Sequence, residues 1–247
     1  MKAILSISAL ATVALLFSSY TKPDIRSQMV RFDQAFLPAL EHTLQGDVYE
    51  AKRAVFYLEF EWRKLRTRLQ HRYPEERSAL SRIDGWLGDA YYAIDANCPV
   101  TAANQLEHVK YELMVFRDRH GIEYYLDQLY DFQGGLEVVA EAAADEMLCL
   151  MEWSEFVALT HELQREWYLI QRQPFNAALY EFEADQVRQL RFYKQSMGKT
   201  LDAFAKAVDN AQRGDAELTS RKLEPALLRV LHLFGNFEGS QTYFAQQ

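Results

Sequence analysis

Residues 48–69 read VYEAKRAVFYLEFEWRKLRTRL, and the apolar members Val48, Ala51, Val55, Leu58, Trp62, Leu65 and Leu69 keep an unbroken 3-4-3-4-3-4 spacing. At 3.6 residues per turn that spacing lays them along one stripe of a helix, with Glu50, Lys52, Arg53, Glu59, Arg63, Lys64 and Arg66 left for solvent. Gly46-Asp47 stands just upstream, and Asp47 offers an acceptor to the free amides of the first turn. One stretch therefore supplies a start, a buried face and a polar back.

The stripe recurs. Ala102, Leu106, Val109, Leu113 and Phe116 repeat it, as do Trp153, Phe156, Thr160, Leu163, Trp167 and Ile170, and then Ala216, Thr219, Leu223, Ala226, Val230 and Leu233. Each copy follows a breaking or capping element: Gly46-Asp47, Asn97-Cys98-Pro99, a polar break around Glu152 and Ser154, and Gly214-Asp215. The reading is four helical hairpins. No segment carries the period-two alternation of a strand.

Between these markers the periodicity predicts a first helix from about Pro23-Asp24 to Leu44, kinked or delayed by Pro38. A third helix is expected over 75–94, a fourth over 100–119 ending at the turn His120-Gly121, and a fifth over 122–150. Gly134-Gly135 implies that the fifth bends or that a neighbour packs unusually close there. A sixth helix over 153–172 ends before Pro174, a long seventh runs over 175–211 with Gly198 as a possible break, and an eighth runs over 215–237 with Pro225 inside it. The expectation is an all-α protein of about eight helices in four antiparallel hairpins, as two tandem four-helix bundles over 20–121 and 122–238 with a loose tail at 239–247. A single solenoid-like array of the four hairpins is the alternative.

Residues 1–19 carry Lys2 and then an apolar run from Ala3 to Phe17. About 15 residues fall short of the roughly 20 that a membrane helix needs, so the run reads as an export signal and the address as periplasmic or secreted. Tyr20 stands where a lipidated Cys would have to be, which leaves an uncleaved, tethering signal as the alternative to cleavage. A formal charge of −8 argues against nucleic acid as a partner, since phosphate backbones reward a basic face. A protein partner on exposed helix faces is expected instead, with no membrane insertion beyond the signal. With 49% hydrophobic residues, 10 Gly and 6 Pro, long helices are permitted and disorder is not expected.

The chain's six His, at 42, 71, 108, 120, 161 and 232, form no Glu-x-x-His or His-Glu-x-x-His pair. Glu137, Glu141 and Asp145 align on one helical face, and Glu181, Glu183 and Asp185 form a second acidic run; both read as solvated faces rather than metal ligands. No Gly-x-Ser-x-Gly or phosphate-cradling glycine loop is present, so no catalytic residue, metal or cofactor is assigned. The Trp, Tyr and Phe residues mostly fall on helix stripes and read as core. The two Cys, 98 and 149, come near each other if the fourth and fifth helices run antiparallel. A Cys98–Cys149 bridge would close a loop of about 50 residues, worth roughly 4 kcal/mol on the chain-entropy account.

The segment Leu201–Leu233, with Phe204, Val208, the turn Gly214-Asp215 and then Leu223, Val230 and Leu233, resembles the last two helices of cytochrome b562 or c′-type four-helix bundles. That resemblance implies a bundle, and in the family a Met and a late His hold haem. Met29 with His120, and His232 with Met147 or Met151, are the nearest counterparts, with no haem motif between them. Two functions follow: a non-enzymatic binding or scaffolding module, or a haem- or metal-holding bundle for electron transfer or sensing.

Overall fold

The computed structural model describes residues 24–145 and 150–237, and among them all regular structure is helical. Nine α-helices follow in order: α1 (Ile25–Leu44), α2 (Val48–Arg72), α3 (Arg77–Asp95), α4 (Pro99–Arg119), α5 (Tyr125–Ala144), α6 (Leu150–Arg172), α7 (Ala184–Asp209), α8 (Arg213–Ser220) and α9 (Leu223–His232). A 3-10 turn, Pro74–Glu76, joins α2 to α3. Helices α1 to α4 pack in sequence and α4 returns to α1, closing one four-helix bundle. In the second, α5 packs on α6 and α6 on α7, and α8 and α9 together form the fourth wall between α7 and α5.

The stripe of residues 48–69 does face a core. Val55, Leu58, Leu65 and Leu69 are fully buried, and the Trp62 ring packs edge-on against Phe32 of α1 while its indole N–H donates to Asp84 of α3 at 2.7 Å. Burial of each such side chain is worth about 1.5–3 kcal/mol, which makes this stripe the main attachment of α2. Asp47 caps α2 by accepting from the Glu50 amide at 3.1 Å, and the turn before it needs Gly46 at φ +71°. Gly121 takes the same left-handed conformation after α4.

Pro38 does not end α1. Its missing N–H deprives the Gln34 carbonyl of an intrahelical partner, and the Asn236 amide, arriving from beyond α9, takes that carbonyl at 2.8 Å. The glycines of the second bundle likewise mark close approach rather than breaks. A Cβ at Gly135 would stand 3.2 Å from Leu163 Cδ1, and one at Gly198 would stand 2.5 Å from Gln171 Nε2. Because Gly198 has no side chain, the Trp167 indole and the Gln171 amide of α6 reach the Lys194 carbonyl of α7 at 3.2 and 2.8 Å.

Three helices depart from the expected bounds. The seventh starts at Ala184, not 175, because Asn176 Oδ1 captures the Leu179 amide, Glu181 turns left-handed at φ +58°, and Glu183 with Gln186 restarts the helix as a capping box. The eighth is split at Arg221, and Pro225 falls in the first turn of α9, where its absent N–H costs no hydrogen bond. α5 is also shorter than its pattern, stopping at Ala144.

Candidate functional site

α5 is held in place by a buried polar junction between the bundles. Arg117, on the last turn of α4 and 1% exposed, grips Asp127 in the first turn of α5 with Nε–Oδ2 at 2.8 Å and Nη2–Oδ1 at 2.5 Å. Tyr124 lies under the guanidinium, 4.5 Å from its ring centroid, and donates its hydroxyl to Asp33 of α1 at 2.6 Å. Burial pushes Asp33 up to about 6, against the opposing pull of the Arg117 charge. Burial also works against the charge of Arg117, but Asp127 and Asp33 more than offset it and keep the guanidinium protonated. The Tyr130 hydroxyl comes near Asp33 without hydrogen-bond geometry, and among the described residues it and Arg117 Nη1 are buried without a partner.

Aromatic rings complete the junction. Residues 173–183 turn Phe175, Tyr180 and Phe182 inward against Tyr125 and Phe234, with centroids 5.0–6.4 Å apart. The Tyr180 hydroxyl accepts the Tyr125 amide at 3.1 Å, supplying the cap that α5 otherwise lacks. Lys194, lowered to about 8 by burial, donates to the Ile170 carbonyl at 2.7 Å and so closes the C-terminal end of α6.

Between α5 and α6 lies a cleft of about 520 Å³, lined by Gln128, Asp131 and Phe132 of α5 and by Glu166, Leu169, Ile170, Arg172 and Gln173 around the end of α6. The floor is apolar: Ile170 is buried, and the Phe132 ring lies 4.8 Å from Trp167. Gly135 offers no Cβ, and the Glu166 carboxylate lies over that bare turn. Burial raises Asp131, and the negative charges of Asp127 and Asp118 add to it; burial raises Glu166, helped by Glu162 and Asp131. Both carboxylates line the cleft, Asp131 from α5 and Glu166 from α6. Among the described residues, Gln173 Oε1 is buried on its wall without a donor.

The residues singled out in the sequence lie elsewhere. Glu137, Glu141 and Asp145 are exposed along α5, and among the described residues no group of three or more His, Cys, Asp or Glu is set to hold a metal. His120 gives its Nε2 to Glu76 at 3.1 Å between the rings of Tyr73 and Phe116, while His232 Nδ1 faces Glu41 at 3.2 Å. Met29 is fully buried in α1; Met147 and the side chain of Met151 lie outside the described residues. Cys98 is exposed at the start of α4, and Cys149 also lies outside the described residues. Not every aromatic is core: Tyr49, Phe56 and Phe60 are 70%, 54% and 43% exposed on the side of α2 opposite its stripe, a position their i, i+7, i+11 spacing encodes. Among the described residues no helix is long and apolar enough to cross a membrane.

No protein-family model, curated protein or solved structure matches this chain. Its class rests on its own architecture: a tandem pair of four-helix bundles with a cleft beside the joint.

Proposed function

We propose that this chain is a non-enzymatic binding module, working outside the cytoplasm, that takes a protein or peptide partner into the cleft between α5 and α6. The observation that carries this reading is the cleft's lining, which sets two acids, an arginine and two amides around an apolar floor, the mix that fixes and orients a bound molecule. Support for the address is the export-type run at residues 3–17. The haem-bearing reading asks for imidazoles on an inward face, and His120 and His232 are committed to Glu76 and Glu41. An absorption spectrum of the purified protein separates the two, and a stoichiometric Soret band overturns the proposal.

The direct test is a mixed library of short peptides equilibrated with the full chain and recovered for mass analysis. Saturable retention of unchanged peptides is expected, and its loss in Leu169→Arg, a residue 69% exposed at the cleft mouth whose replacement leaves the core untouched. Recovery of cleaved peptides would make the chain an enzyme; retention that Leu169→Arg leaves intact would move the site away from the cleft.

A further inference from the structure

The cleft is electrically two-ended, and we infer that it binds a short peptide with both termini free, its ammonium held between Asp131 and Glu166 and its carboxylate by Arg172. This rests on the binding-module reading above and adds the class of ligand. At the acidic end Asp131 and Glu166 both line the cleft and make no ion pair among the described residues, while Asp127, one turn earlier on α5, is already spent on Arg117. Two carboxylates that line one cleft without a cation of their own are stabilised by a cation set between them. Glu166 Oε2 lies 3.9 Å from where a Cβ of Gly135 would stand, so this carboxylate reaches the turn of α5 that follows Asp131.

At the other end Arg172, the last residue of α6, lines the cleft, is exposed and makes no ion pair among the described residues. Its planar fork suits a carboxylate. Glu166 and Arg172 are six residues apart on one helix, a rise of about 9 Å at 1.5 Å per residue. An extended chain advances about 3.4 Å per residue, so two or three residues bridge the two ends. Between them the ligand meets Phe132, Leu169 and Ile170 on one side and the amides of Gln128 and Gln173 on opposite walls. A peptide, unlike a simple amino-alkyl acid, brings backbone N–H groups, and Gln173 Oε1 is an acceptor that lacks a donor. The cleft volume of about 520 Å³ is the size of an ordinary ligand site.

The test titrates the full chain with four forms of the tripeptide Ala-Leu-Ala: free, N-acetylated, C-amidated and blocked at both ends. Calorimetry is expected to show saturable binding of the free form, about tenfold or greater weakening when either end is blocked, and none with both blocked, the size of a lost charge-assisted hydrogen bond. Asp131→Asn or Glu166→Gln should weaken the free peptide and erase the penalty of acetylation. Arg172→Gln should erase the penalty of amidation and leave that of acetylation. All three side chains are solvent-exposed, so an unchanged melting curve certifies the fold of each variant. Equal binding of the free and doubly blocked peptides overturns the inference while leaving the module intact. A library that yields bound peptides without free termini does the same. If no peptide of any kind is retained, the inference falls together with the reading it rests on.

Discussion

The junction at Arg117 and the cleft at Glu166 share α5, and Asp127 and Asp131 stand one turn apart on it, yet the two acids face different surroundings. At the junction a guanidinium is buried against Asp127 and satisfies it at 2.5–3.0 Å, while Asp33 accepts from Tyr124 at 2.6 Å. In the cleft Asp131 and Glu166 make no ion pair among the described residues and remain open to solvent. Charge that is buried and matched fixes how two bundles meet; charge that is exposed and unmatched is available to something outside the chain. The distinction is set by the partner, not by the acid itself.

The largest effect that sharpens this contrast should come from Arg117→Ala. It strands Asp33 and Asp127 in a dry junction, and loss of one partner from a buried pair costs about 3–5 kcal/mol. Urea unfolding should show that loss, whereas Arg172→Ala at the cleft should stay within about 0.5 kcal/mol. Equal effects would mean that the two regions do not differ as described.

Next in size is a pH effect. An unfolded Asp33 releases its proton near 3.8 and the folded one near 6, so between those values the folded chain holds a proton that the unfolded chain has lost. Stability should therefore fall as pH rises through that window, by about 3 kcal/mol in all, and stay level on this account above it. Asp33→Asn removes the titration while retaining an acceptor for Tyr124. The stability difference between variant and native chain should shift in favour of the variant as pH is raised from 4 to 6.5. A parallel pair of curves in a melting series would remove Asp33 from the dry junction.

Smaller again is Gly135→Ala. The new methyl would stand 3.2 Å from Leu163 Cδ1 and 3.9 Å from Glu166 Oε2, so α6 must give by a few tenths of an ångström while the helix gains the better propensity of Ala. In a melting series stability should change by less than about 1 kcal/mol, and peptide retention should hold, because the methyl crowds Leu163 and meets Glu166 at ordinary contact distance; lost retention would mean that Leu163 cannot give without moving Glu166. The smallest expected change is the stability of Asp131→Asn, within about 0.5 kcal/mol in a thermal melt, since a solvated acid holds up nothing.

How much of this was legible in the sequence depended on whether the signal was local. The stripe and cap of α2, the turns at Gly46 and Gly121, and the alternative of close packing at Gly134-Gly135 all follow from spacing within one element. The false start of α7 shows the limit: Phe175, Leu179 and Phe182 keep a helical interval, but a single side-chain acceptor at Asn176 diverts the backbone into a turn that uses the same aromatics. Asp33 and Arg117 could not be read as a junction, because their meeting depends on how α1, α4 and α5 are rotated about their axes. The cleft depends in the same way on the antiparallel register of α5 and α6, which no local pattern records. Tyr49, Phe56 and Phe60 were legible, since their angle on the helical wheel is opposite to that of Leu58.

The proline in α1 makes that helix depend on a distant stretch of chain. The Gln34 carbonyl that Pro38 leaves open belongs to the first described helix, and the amide that closes it belongs to Asn236, beyond α9. The first bundle holds all of its own helices by Arg119, yet this backbone acceptor is met from the far side of the second. That hydrogen bond clasps two parts of the molecule remote in sequence, so loosening of the segment after α9 hands the Gln34 carbonyl to water and wets α1 at its proline.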